Sequence, residues 1–229
     1  MLETFPRTKD QSLKQYVLST LSRNIVHLNL EPGERLSESE ISELLSISRT
    51  PIREALLELS EKKLVIIRPR SGTFVSYIDM DIVSQFLYLR TVVERDLSRL
   101  ACACITPDDL DLLHENIAIQ KYYYEISKPA KLLEHDIKFH SEIYRICKKE
   151  FLNDVISNLA VHFDRIRYLS MTKKEFILKI SEHEQYLEAL AQGDSQRAMS
   201  ISDEHMIHTF EDYEWIREAF PHYINSAGK

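Results

Sequence analysis

Only four glycines, Gly33, Gly72, Gly193 and Gly228, interrupt a chain of 229 residues, and that scarcity constrains the fold more than any motif does. With seven prolines besides, there are few places where the backbone can turn sharply. A glycine-loop nucleotide fold, a collagen-like fibre and a disordered linker are excluded, and long helices are favoured. The apolar share, 44%, is enough for the core of one or two domains.

Hydrophobic spacing divides the chain. Leu13, Val17, Leu21, Ile25 and Leu28 recur at three and four residues, one buried stripe of a helix over 10–28. Leu30-Glu31-Pro32-Gly33 ends it, and Ser37 with Glu40 reads as a capping box that opens a short second helix through Leu45. A third helix runs from Arg49 to about Lys63, burying Ile52, Ala55, Leu56 and Leu59. Two β-prone runs, Leu64-Val65-Ile66-Ile67 and Thr73-Phe74-Val75-Ser76-Tyr77, flank Arg68-Pro69-Arg70-Ser71-Gly72 and predict a hairpin with a basic turn. After Tyr77 every segment is helical in pattern: roughly 80–102, 107–127, 129–148, 151–170, 173–192 and 195–218. The breaks carry their own signals: Thr106-Pro107, Lys128-Pro129, a capping box of Thr172 and Glu175, and Gly193-Asp194. The expected fold is mainly α. Residues 1–78 form a winged helix-turn-helix, and 79–229 form an antiparallel bundle of six to seven helices.

The formal charge of −7 argues against a nucleic-acid partner only if it is spread evenly, and it is not. Residues 1–79 carry 11 basic and 11 acidic side chains, whereas the remainder carries 18 and 25. Within 44–74 the balance is six basic to three acidic, so a positive patch lies on the third helix and the hairpin turn. A duplex meets that patch, not the mean charge.

Arg49, Thr50 and Arg53 stand in the first turns of the third helix, where a recognition helix reaches base edges in the major groove and a guanidinium can grip guanine with two hydrogen bonds. Ser48, Thr50 and the first backbone N–H groups suit phosphates, and the turn with Arg70 and Gly72 can approach the DNA backbone or minor groove. The stretches Leu30-Glu31-Pro32-Gly33-Glu34-Arg35-Leu36-Ser37-Glu38, Ser48-Arg49-Thr50-Pro51-Ile52-Arg53-Glu54-Ala55-Leu56 and Arg70-Ser71-Gly72-Thr73-Phe74-Val75 together resemble the DNA-binding domain of GntR-type bacterial transcription regulators. The resemblance implies that Arg35, Arg49 and Arg53 contact DNA and that Gly72 makes the wing turn. The competing reading pairs Arg35 and Arg53 with Glu34, Glu38 or Glu54. Two arginines cannot specify an operator alone, so a homodimer on an inverted repeat is expected.

Nine histidines raise a second possibility. Asp136 and His140, four apart, share one helix face and can bind one ion from adjacent turns. His183 and His205 lie at similar heights on either side of the Gly193-Asp194 turn. Histidines of any bundle meet by chance, so spacing alone leaves a metal centre and ordinary packing both open. Asp136-Ile137-Lys138-Phe139-His140, Glu182-His183 and His205 also resemble the Asp and three His of the FCD effector domain in the FadR-like branch of GntR regulators. That resemblance implies a divalent metal at Asp136, His140, His183 and His205, zinc foremost, with nickel, cobalt, iron or manganese as further candidates. It also implies a small organic acid bound at the metal, with Arg90 facing it. An i, i+4 pair of Arg90 with Glu94 is the alternative. Tyr144, Arg165 and Tyr168 are further candidates for the cavity by helix phase, and His208 is a substitute ligand. The chain departs from the family at Lys148-Lys149-Glu150, where members often carry Gly-Asn-Pro.

A ligand-responsive repressor, not an enzyme, is therefore expected. A metal-dependent hydrolase and a regulator whose effector is the ion itself are the alternatives. No His-Glu-x-x-His motif supports the hydrolase, although Glu182 and Glu184 flank His183. Three cysteines, an odd number, fit a reducing cytoplasm; Cys102 and Cys104 read as buried small hydrophobes. Neither a signal peptide nor a membrane span is legible.

Overall fold

A computed structural model describes residues 2–225. They divide into two compact units: the chain up to Met80 together with its return from Phe220, and Asp81–Ala219.

In the first unit, helix α1 (Leu13–Val26) opens at a capping box in which the Ser12 hydroxyl accepts from the Gln15 N–H and the Gln15 side chain accepts from the Ser12 N–H. It buries Val17, Leu21 and Ile25 and packs on α3 (Arg49–Glu61). Ser37 caps α2 (Glu38–Leu45), which ends at Ser46 in the left-handed conformation (φ 53°). The Ser42 hydroxyl then donates to the Ile47 carbonyl at 2.7 Å, which fixes the turn into α3. Ile52, Ala55, Leu56 and Leu59 on α3 are completely or almost completely buried, each larger side chain contributing roughly 1.5–3 kcal/mol.

The expected hairpin forms from β2 (Val65–Arg68) and β3 (Gly72–Val75), with one addition. A two-residue strand, β1 (Arg35–Leu36), pairs with β3 to give the sheet order β1-β3-β2, placing Arg35 opposite Phe74. Two residues are too few for an alternating pattern to register in sequence. After Ala219 the chain rejoins this unit: the Ile78 N–H donates to the Tyr223 carbonyl at 2.8 Å and the Asn225 N–H to the Ile78 carbonyl at 3.0 Å.

The second unit is helical: α4 (Met80–Cys104), α5 (Pro107–Glu125), α6 (Pro129–Ile146), α7 (Glu150–Leu159), α8 (Val161–Ser170), α9 (Ile177–Ala191) and α10 (Ser195–Ala219). Thr106 caps α5 with Asp109 completing the box, and Pro107 takes the first turn. Gly193 has φ +69° at the α9 end, and Asp194 caps α10 by accepting from the Arg197 N–H at 3.0 Å. Helix α5 packs on α6 and α9, α9 on α10, and α8 on both α6 and α10.

Three local expectations are corrected. The helix over 151–170 is two, α7 and α8, separated at Ala160, where the N–H bonds to the Ser157 carbonyl in the tighter i, i+3 pattern. No glycine, proline or cap residue marks that break. Thr172 and Glu175 form no capping box. The Thr172 hydroxyl donates to the Leu169 carbonyl, and a 3₁₀ turn, Lys174–Phe176, leads into α9. Cys102 is half-buried and Cys104 exposed, not core residues.

Lys148, where the regulators that the sequence resembles often carry glycine, has φ 55° directly after the α6 cap. A side chain in that region costs roughly 1 kcal/mol. Lys148→Gly is therefore expected to raise the denaturation midpoint, with a gain of about 0.5–1 kcal/mol in chemical unfolding.

Candidate functional site

In the first unit Arg35, Ser48, Arg49, Thr50, Arg53 and Arg70 are solvent-exposed, as a reading surface requires. Exposure has different origins along α3. Ile52, Ala55, Leu56 and Leu59 commit one face to the core, so Arg49, Thr50 and Arg53 fall on the other. Ser48 stands at the N-cap position but its side chain makes no capping hydrogen bond. Arg53 is gripped by Glu38: Nε donates at 3.1 and 3.2 Å and Nη2 at 2.8 Å. The pairing anticipated as an alternative thus forms, but on the surface, where such a pair is worth only about 0–1 kcal/mol and yields to a better acceptor. Gly72, at φ +117°, lies against Arg35. A Cβ there would stand 3.0 Å from Arg35 Nε, so the wing turn and this arginine are positioned together.

In the second unit α6, α9 and α10 bring His140, His183 and His205 together, one ligand atom from each lying within 4.8 Å of the others. Each ring has its Nδ1 engaged. His140 Nδ1 lies 3.2 Å from Glu94 on α4, His183 Nδ1 3.2 Å from the Gln120 amide oxygen on α5, and His205 Nδ1 2.6 Å from Glu182 on α9. An acceptor at Nδ1 fixes the tautomer and leaves Nε2 with its lone pair directed inward, the arrangement that orients imidazoles on a metal. Gln120 is itself set by donating to Asn116 at 2.8 Å, which turns its oxygen toward His183.

Two observations test whether these residues suit an ion. His183 Nε2 is buried without a hydrogen-bond partner, an arrangement that folding does not favour unless something binds there. Burial also lowers the pKa values of His140 and His183, keeping the rings neutral and competent as ligands. The cavity they line, about 30 Å³, is also lined by Glu94, Tyr144, Glu182 and Tyr186.

Asp136 stands one step away. One carboxylate oxygen is 3.7 Å from His183 Nε2, and the other accepts from the Arg167 guanidinium. Burial opposes its ionisation, but the Arg167 guanidinium holds its carboxyl well below the usual range. The three histidines form the cluster, and Asp136 is their neighbour, held by an arginine that the sequence did not single out. Arg90 donates to Glu94 at 2.6 Å, the anticipated i, i+4 pair, but the pair is buried rather than on the surface. Burial raises the Glu94 pKa, yet Arg90 and His140 override it and keep this carboxylate ionised. Tyr144 lines the cavity as helix phase suggested. Arg165 does not: it is fully buried against His162, at 2.8 Å, and its neighbour Arg167 is the one that reaches the site. His208 is exposed and bonds to the second oxygen of Glu182 at 2.5 Å, outside the cluster.

Gln120 and Arg167 carry no signal in the sequence, and Glu94 and Glu182 none that ties them to His140 and His205, because polar residues scattered over four helices share no spacing. Glu182 had a signal in its place beside His183, but the ring it contacts in the cluster is that of His205. Among the described residues no helix is long and apolar enough to cross a membrane.

Residues 13–75 match the model of the bacterial regulatory proteins of the gntR family, and residues 85–208 match the FCD domain. The chain is 31% identical over 211 residues to the HTH-type transcriptional repressor RspR of Escherichia coli K12, covering 91% of this chain and 92% of that one. It is 26% identical over 162 residues to the Nta operon transcriptional regulator of Aminobacter aminovorans, covering 71% and 74%. The solved structure of E. coli McbR/YncC has the same fold at a TM-score of 0.77, with 23% identity, covering 90% of this chain and 99% of that one. A hydrolase reading is therefore set aside: the chain belongs to the GntR family of bacterial regulatory proteins, carries an FCD domain, and is a transcriptional regulator.

Proposed function

We propose that the protein is a cytoplasmic, ligand-responsive repressor that binds a palindromic operator as a homodimer and senses a small organic acid at a divalent ion in its helical domain. The observation that carries the sensing half is the convergence of His140, His183 and His205 with every Nδ1 held by an acceptor and the buried His183 Nε2 left without a partner. Asp136 completes the ligand set once its carboxylate is shared between Arg167 and the ion. Zinc fits a set of neutral imidazoles and a carboxylate, as do nickel, cobalt, iron and manganese. The bound ion supplies open coordination positions for a carboxylate, and Arg90, two contacts away through Glu94 and His140, supplies positive charge toward that acid.

In the reading half, Arg49 and Arg53 contact base edges, Ser48 and Thr50 contact phosphates, and Arg35, Arg70 and Gly72 form the wing contact. Acid binding at the ion shifts helices of the bundle and changes the spacing of two reading heads; linkage requires DNA to change acid affinity by the same factor.

Native mass spectrometry of the purified chain tests the sensing half. The expected result is one divalent ion per chain, carried with a small acid, in a dimer; a metal-free monomer contradicts it. Glu182→Gln, which weakens the acceptor on His205, is expected to lower metal affinity about 10–100-fold in a chelator competition.

A further inference from the structure

The three cysteines stand outside both sites, and two of them meet. Cys104 is the last residue of α4 and Cys147 caps the C-terminal end of α6. Each sulfur lies against the other's helix. Cys104 Sγ is 3.3 Å from the carbonyl oxygen of Ile146, the residue before Cys147, and Cys147 Sγ is 3.5 Å from the Leu97 carbonyl oxygen on α4. The two thiols are also hydrogen-bonding partners of one another. A disulfide needs its sulfurs at about 2 Å, so these two are a short side-chain rotation from the bonded distance. Cys102 stands about 200° further round α4.

The pair is asymmetric in a way that orders its chemistry. Cys104 is exposed and Cys147 half-buried, and burial pushes the Cys147 thiol up to about 12. An oxidant from solvent therefore meets Cys104 first, and Cys147 keeps its proton until an oxidised sulfur is presented to it. The helices to be joined are the ones that support the histidine centre. Helix α4 carries Glu94 and α6 carries His140, whose Nδ1 lies 3.2 Å from that carboxylate.

We infer that Cys104 and Cys147 form a reversible redox site, oxidised by a peroxide to a disulfide that staples α4 to α6. The Cys104 thiolate attacks one peroxide oxygen: an S–O bond forms, the O–O bond breaks and hydroxide leaves, taking up the proton that Cys104 had released. The Cys147 sulfur then attacks the Cys104 sulfenic acid. An S–S bond forms as the S–O bond breaks, and the Cys147 proton departs with the hydroxyl as water. Two thiols and one hydrogen peroxide thus become one disulfide and two waters, and a dithiol reductant reverses the bond by exchange. A transient, redox-sensing bond is the kind that proteins of a reducing compartment form.

Peptide mass spectrometry of the whole chain after hydrogen peroxide, with free thiols blocked before trypsin, tests it. The expected result is a link between peptides 100–121 and 146–148, with one free thiol left of three, and full recovery of the thiols in dithiothreitol. Cys104→Ser and Cys147→Ser are expected to abolish the link, and Cys102→Ser to retain it. Cys104 is exposed, so its serine variant keeps the test valid even where Cys147→Ser fails to fold. Three thiols left free, a bond between Cys102 and Cys104, a bond between two chains, or only irreversible sulfinic acid at Cys104 overturns the assignment.

Discussion

Replacing Arg49 and Arg53 together by alanine is expected to abolish operator recognition while leaving the fold and the metal content unchanged. Each bidentate arginine contact to a base is worth about 1–3 kcal/mol, so the pair removes about 2–6 kcal/mol from each reading head, a loss of roughly 30-fold to 20,000-fold. The fold has little to lose. Both side chains are exposed, the core face of α3 is made by Ile52, Ala55, Leu56 and Leu59, and the Glu38 grip on Arg53 lies at the surface. Helical circular dichroism and thermal midpoint are therefore expected to match the parent, and gel-shift affinity to collapse. Arg53→Ala alone distinguishes two roles. A base-reading arginine relaxes preference at one position of the operator, whereas a phosphate-binding one weakens all sequences alike and lowers the salt dependence of binding.

The second large effect is expected at His183. It is 3% exposed, stacked on Phe139 at 4.3 Å between ring centres, and the only one of the three histidines whose Nε2 is both buried and unpartnered. If it ligates the ion as proposed, His183→Ala is expected to lower metal affinity by more than about a hundredfold, beyond the 10–100-fold typical of losing a supporting group. His183→Gln retains more of the volume, and the same loss of metal in that variant separates ligation from packing. Because the site lies within one compact unit and the reading surface within the other, DNA binding is expected to persist in both variants while response to the acid disappears. Loss of DNA binding along with metal would instead indicate that the ion supports the fold or is itself the effector.

How much of this could be read in sequence depended on whether the cause was local. Caps at Ser37, Thr106 and Asp194, and the glycine at 193, are signals carried by one or two residues, and the helices begin and end near them. The break at Ala160 is not local: Leu159-Ala160-Val161 has no chemical reason to interrupt a helix, and packing of α8 on α6 and α10 decides it. Strand β1 exists only because β3 offers it a partner. The same division runs through the site. His140, His183 and His205 converge where residue type, helix phase and family resemblance pointed together, with Asp136 beside them. Glu94, Gln120, Glu182 and Arg167 are ordinary polar residues until the helices are packed, and only then does each prove to face one functional side chain. Arg90 illustrates the limit. The i, i+4 spacing to Glu94 identified the pair correctly but gave no hint that it is buried against His140.

A ligand-responsive regulator of this architecture requires coupling between the histidine centre and the DNA. The most direct measurement is the affinity of the metal-loaded protein for double-stranded DNA that it has selected from a random pool, taken with and without the small acid that native mass spectrometry finds carried with it. The acid is expected to change this affinity at least fivefold, about 1 kcal/mol of coupling, and the change is expected to vanish in His183→Gln while basal affinity stays within experimental error. Equal DNA affinity with and without saturating acid in the parent protein would contradict it.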